Sequence, residues 1–126
     1  MTYTFYSKKL LWWLPTILLV TLIMFLSGRA IPSIPGNLPD KMIHFLVYAV
    51  LASLFYLSLH HSGVQQRTVF WALVLTIVVG ALDEYLQSFT IMRNSNIFDL
   101  MADGFGAVMG SVITKRITDF RISSTG

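Results

Sequence analysis

The chain has 126 residues, enough for one domain, and it is 55% hydrophobic but only 12% charged, against about 25% charged residues in soluble domains. This composition excludes an ordinary soluble enzyme, and the absence of cysteine excludes disulfides and cysteine-ligated metals. The formal net charge is +3, but the basic residues flank apolar runs instead of forming one patch, which favours the lipid bilayer over nucleic acid as a partner.

Four apolar stretches of the sequence predict membrane-spanning helices. In chain order they lie at about 10–27, 41–59, 69–89 and 97–114. A helix needs about 20 residues to cross the roughly 30 Å hydrocarbon core of a bilayer, and each stretch is close to that length. We therefore expect an all-α, four-helix transmembrane bundle that forms a single domain over residues 1–126.

The first stretch has a competing interpretation. Lys8 and Lys9 would be the basic region of a cleaved signal peptide, followed by its apolar run. We prefer a retained span because the apolar run is slightly long for a signal peptide. Pro15 is placed near the start of this span, where a proline is tolerated best.

Signals at the helix ends are clearer later in the chain. Gly63 suits the C-terminus of the second helix, and Asn96 can cap the N-terminus of the fourth. Lys115 and Arg116 are expected to end the fourth helix, leaving a mobile tail from Thr118 onward.

The distribution of basic residues predicts the orientation in the membrane. Four spans place both termini and the loop between the second and third helices on one side. That side carries Lys8, Lys9, Arg67, Lys115, Arg116 and Arg121. The other side carries only Arg29, Lys41 and Arg93. Because cytoplasmic loops are enriched in basic residues, we expect both termini to be cytoplasmic.

Polar residues recur at helical spacing on the last three helices and in the turn between the last two. The expected site residues are Lys41, His44, Tyr48, Asp83, Glu84, Gln87, Arg93, Asp99 and Asp103. The second helix begins on the outer side, where the third ends and the fourth begins, so these residues should converge at the outer end of the bundle. A charge that faces lipid costs at least about 2.5 kcal/mol, which favours inward-facing, paired side chains.

Two glycines lie one turn apart on the fourth helix. Gly106 and Gly110 form a small-xxx-small pair that lets helices approach closely. We expect ordinary packing within the chain, with a homodimer contact as the less favoured alternative.

These segments together resemble the VanZ-like family. The resemblance covers roughly residues 38–114 and is carried, in order, by Lys41-x-x-His44, Asp83-Glu84-x-x-Gln87, Arg93 and Asp99-x-x-x-Asp103-x-x-Gly106. Two features depart from the family pattern: Asp103 stands where asparagine is usual, and the approach to Arg93 lacks the usual proline. The resemblance implies a small multi-pass protein of the bacterial inner membrane, whose namesake is associated with resistance to the glycopeptide teicoplanin. It implies no established biochemical activity.

Three classes of function stay open. The first is recognition of an envelope lipid or a cell-wall precursor headgroup by the outward-facing polar site. The second is a membrane-embedded enzyme in which His44 and the carboxylates act as acid and base or hold a divalent metal, although their spacing matches no established metal motif. The third is a set of buried ion pairs that only locks the helices. Asp83 and Glu84 are the strongest functional candidates, because acids near a helix C-terminus oppose the helix dipole.

Overall fold

The computed structural model describes residues 3–29, 40–91 and 96–126. These ranges contain four α-helices and no strand: α1 (Tyr3–Ser27), α2 (Asp40–His61), α3 (Thr68–Gln87) and α4 (Ile97–Thr125). Each helix is long and apolar enough to cross a membrane. The prediction of an all-α, four-helix membrane bundle is therefore confirmed, and the protein is a multi-pass membrane protein.

The helices bury few apolar side chains and expose many. The buried core centres on α2, where Tyr48, Leu51 and Phe55 pack against Ile23 of α1 and Val79 of α3. Large apolar residues cover the outward faces, as in Leu10, Leu18, Phe70, Leu82, Phe105 and Val112. In water such a surface would drive aggregation, whereas in a bilayer it contacts acyl chains.

Successive helices run in opposite directions. Trp13 of α1 donates to the hydroxyl of Ser62 at 2.8 Å, and Thr16, later in α1, hydrogen-bonds Ser58, earlier in the chain than Ser62, at 2.8 Å; this reversed order shows that α1 and α2 are antiparallel. At the other end of α1, the hydroxyl of Ser27 contacts Asp83 near the end of α3. Within the described ranges α1 packs on α2 and α3 and makes no contact with α4. The α2–α3 pair therefore separates the first helix from the last.

The closest approach in the bundle is between α2 and α4. A Cβ built on Gly110 would overlap the carbonyl oxygen of Ala49 and lie 2.7 Å from its carbonyl carbon. One turn earlier, a Cβ on Gly106 would lie 3.0 Å from the carbonyl carbon of Phe45. The hydroxyl of Ser53 also donates to the carbonyl of Gly110 at 3.1 Å. Both glycines thus face a neighbouring helix of the same chain.

Two helix ends are formed by the local signals that the sequence predicted, a glycine after α2 and an asparagine cap before α4. Gly63 has a φ of 98°, and the Val64 amide donates to the carbonyl of Leu59 at 3.0 Å, which is the glycine-terminated helix end predicted for α2. The side chain of Asn96 accepts from the Phe98 amide at 3.1 Å, so the predicted cap of α4 is confirmed.

Two predictions were wrong: the end of the fourth helix and the position of Pro15 within the first. Helix α4 continues through Lys115 and Arg116 to Thr125, because a charge ends the hydrocarbon-embedded part of a helix but does not break the helix itself. Lys115 and Asp119 pair across one turn in this extension. Pro15 lies in the middle of α1, which begins at Tyr3, and not near the helix start.

Candidate functional site

Seven polar side chains from all four helices meet at one end of the bundle. This polar cluster consists of Ser27 on α1, His44 and Tyr48 on α2, Asp83, Glu84 and Gln87 on α3, and Asp103 on α4. Helices α1 and α3 end here while α2 and α4 begin here. The alternating directions of the helices therefore bring together residues that lie far apart in the sequence.

Asp83 is the best-satisfied member of the polar cluster. It is only 4% exposed, and its Oδ2 accepts from the Tyr48 hydroxyl at 2.7 Å. Its Oδ1 accepts from the Gln87 amide at 2.9 Å and from the hydroxyl of Ser27. These donors lie on three different helices, and hydrogen bonds to a charged group are stronger than neutral ones. Asp83 therefore ties α1, α2 and α3 together.

Asp103 is paired on one oxygen only. Its Oδ1 lies 2.9 Å from Nδ1 of His44, and its side chain is 1% exposed against 11% for His44. Its Oδ2 is buried and has no hydrogen-bond partner in the part of the chain that the structure describes. Gly80 leaves the space for this oxygen, since a Cβ at that position would lie 3.1 Å from it. The His44 ring lies parallel to the ring of Tyr48, with 6.2 Å between centroids.

Glu84 shows the same half-satisfied pattern. Its Oε2 accepts from the backbone amide of Asn96 at 3.1 Å, and its Oε1 is buried with no partner among the residues described. Ligand atoms of Glu84, His44 and Asp103 all lie within 4.8 Å of one another. Buried polar atoms in native proteins nearly always have partners, so exceptions point to a bound ion, a water or a functional role.

Two further predicted site residues, Lys41 and Asp99, lie around the polar cluster and not in it. Lys41 is exposed, and its Nζ lies 5.7 Å from the ring centroid of Phe98. Asp99 is half-buried in the first turn of α4. Arg93 lies outside the described residues. The polar cluster itself carries three carboxylates and one imidazole, so it can attract cations and hydrogen-bond donors.

Ser27 is the member of the polar cluster that sequence reasoning missed. It ends α1, and its backbone carbonyl also accepts from the Thr90 hydroxyl at 3.2 Å. The only signal in the sequence was a lone hydroxyl at the end of an apolar run. A single hydroxyl does not form a pattern at helical spacing with other polar residues. It indicates a site residue only once α1 is known to pack beside the end of α3.

Comparison with known proteins agrees with the architecture. The sequence model of the VanZ/LLP1 family matches residues 4–118. The chain is 28% identical over 102 residues to the uncharacterized protein C11E3.10 of the fission yeast Schizosaccharomyces pombe, a match that covers 75% of this chain and 61% of that protein. No solved structure matches. Because the family match takes in all but the two ends of the chain, this protein belongs to the VanZ/LLP1 family.

Proposed function

We propose that this protein acts in a cell envelope by binding the headgroup of a lipid or a lipid-linked wall precursor at the polar cluster. A role of the type seen in teicoplanin resistance would follow from control of such a precursor. The observation that carries the proposal is a pair of buried carboxylate oxygens, Oε1 of Glu84 and Oδ2 of Asp103, that have no hydrogen-bond partner among the described residues.

The contrast within the polar cluster supports binding over a purely structural role. Asp83 is an example of a carboxylate that holds helices together, since both of its oxygens accept hydrogen bonds. Glu84 and Asp103 each leave one oxygen unused. An unsatisfied buried acceptor costs about 1–3 kcal/mol, and more when charged. A cluster that served only to lock helices would not retain two such atoms, whereas a ligand would satisfy both.

The position of the polar cluster suits a headgroup better than an acyl chain. The cluster lies at the helix ends, where α2 begins and α3 ends, and therefore near one surface of the bilayer. Lys41, one turn before His44, is exposed at the same end and can approach a phosphate. A long basic side chain at a helix end extends toward the interface.

Native mass spectrometry of the purified full chain tests the proposal. We expect a lipid to be retained by the parent protein and to be lost, by at least tenfold, in Glu84→Gln. The amide keeps an acceptor for the Asn96 backbone N–H, so the variant should fold. Asp119→Asn is the matched control, since it changes an exposed acid at the far end of α4. Equal lipid retention by parent and Glu84→Gln would refute headgroup binding.

A cell-based readout separates binding from folding. We expect Glu84→Gln to reach parental levels in the membrane while the envelope phenotype of the parent, such as tolerance of a glycopeptide, is lost. If Glu84→Gln does not fold, Asp103→Asn replaces it, because it removes the charge of the second buried carboxylate whose oxygen lacks a partner among the described residues. A folded variant with the full parental phenotype counts against the proposal.

A further inference from the structure

We propose that His44, Glu84 and Asp103 form a binding site for one divalent transition-metal ion of the Zn²⁺ or Mn²⁺ type. The site is built from three helices: His44 lies on α2, Glu84 at the end of α3 and Asp103 on α4. This inference goes beyond headgroup binding and can be tested with the metal alone.

The donor set fits such an ion. One imidazole nitrogen and two carboxylate oxygens are typical ligands of zinc, and three protein ligands with an open position are characteristic of reactive zinc sites. Metal–ligand bonds of about 2.0–2.2 Å in a tetrahedral site place ligand atoms about 3.4 Å apart. The ligand atoms of the three residues already lie within 4.8 Å of one another. Binding therefore needs movements of about 1 Å, within the reach of side chains alone.

The two unused oxygens point to the same conclusion independently. Asp103 is 1% exposed, yet within residues 3–29, 40–91 and 96–126 its Oδ2 has no hydrogen-bond partner, and neither has the buried Oε1 of Glu84. The Asn96 amide engages the other oxygen of Glu84, which leaves Oε1 available as a ligand. Outer hydrogen bonds of this kind orient metal ligands.

Charge balance favours a dication at this position. Within the described residues Lys41, the basic residue nearest in sequence to His44, is exposed and near Phe98. Two carboxylates in a low-dielectric bundle are costly unless they are neutralised. A divalent ion between Glu84 and Asp103 cancels both charges at once. Imidazole as the third ligand favours zinc over magnesium or calcium, which prefer all-oxygen sites, and the two carboxylates also suit manganese.

Asp103 is essential to the proposed site. With His44 and Glu84 it completes a set of three ligands, and an asparagine in its place would be a neutral and weaker ligand. The metal site rests on the proposed function in one respect only: an open position on the metal would accept an oxygen of the bound headgroup.

Metal titration of the full chain tests the site. The protein is purified in detergent, stripped with a chelator and titrated with Zn²⁺ or Mn²⁺, and the bound ion is measured by elemental analysis after desalting. We expect about one ion per chain and a higher midpoint of thermal unfolding with metal. Glu84→Gln and Asp103→Asn should each weaken binding at least tenfold, while Asp119→Asn should bind like the parent.

The result that overturns the proposal is a parent protein with no stoichiometric ion, or equal binding by the parent and both site variants. If Glu84→Gln lacks a cooperative unfolding transition, Asp103→Asn decides the question. Lipid retention measured on the same samples separates the two proposals. Metal without lipid contradicts headgroup binding only, and lipid without metal contradicts the metal site only.

Discussion

Replacing Gly110 by alanine should open the contact between α2 and α4. The added Cβ would overlap the carbonyl oxygen of Ala49 and come 2.7 Å and 2.9 Å from its carbonyl carbon and Cα. All three atoms belong to the backbone, so no rotamer change relieves the overlap. The helices must move apart, and the hydrogen bond from Ser53 to the Gly110 carbonyl, 3.1 Å long, lengthens with them.

Overpacking of this kind costs about 1–3 kcal/mol, and the backbone clash places Gly110→Ala near the upper end. The folding equilibrium constant should then fall by up to about 150-fold. Reversible unfolding of the purified protein in mixed micelles, followed by tryptophan fluorescence, measures this change. The midpoint of the transition should move to lower denaturant while the helix content of the folded state stays the same.

Gly104→Ala is the matched control on the same helix. A Cβ at Gly104 meets nothing within 4 Å, and alanine has a higher helix propensity than glycine by up to about 1 kcal/mol. We expect Gly104→Ala to be as stable as the parent or slightly more stable. The packing argument fails if Gly110→Ala unfolds at the parental midpoint, or if Gly104→Ala loses as much stability as Gly110→Ala.

Three further predictions concern the polar cluster, the cap of α4 and the orientation. Tyr48→Phe removes a donor to the buried Asp83 and should cost about 1.5–3 kcal/mol in the same unfolding assay; parental stability would contradict it. Asn96→Ala removes the acceptor for the Phe98 amide and should lower the stability of the helix end by about 1 kcal/mol. We expect faster hydrogen exchange of the Phe98 amide, and unchanged exchange would show that the cap is not stabilising. A reporter active only outside the cytoplasm, fused after Gly126, should be inactive; strong activity would contradict cytoplasmic termini.

Hydropathy predicted the four helices because a span needs about 20 apolar residues, and charge marks where the hydrocarbon ends. It could not predict how far each helix extends. Helix α4 continues past Lys115 to Thr125 because no proline or glycine lies between Lys115 and Gly126. Outside the hydrocarbon, charged residues are ordinary helix formers.

Helical spacing placed His44, Tyr48 and Lys41 on one face, but their side chains have different surroundings. His44 and Tyr48 bond to carboxylates, whereas Lys41 is exposed, because a flexible basic side chain at a helix end reaches the interface at little cost. The hydrogen-bond partners of each carboxylate could not be predicted from the sequence either. Which acid is fully hydrogen-bonded and which keeps an unused oxygen depends on the rotations of all four helices about their axes.

The order of partners along the chain has a consequence for biogenesis. Ser27 and Tyr48, which hydrogen-bond Asp83, are both synthesised before it, and His44 is synthesised before Asp103, with which it pairs. Because chains emerge from the ribosome N-terminus first, these two carboxylates enter the bilayer when their interhelical partners are already there. A circular permutant that began with α3 would insert both acids before any partner from α1 or α2, and its yield in the membrane should fall accordingly.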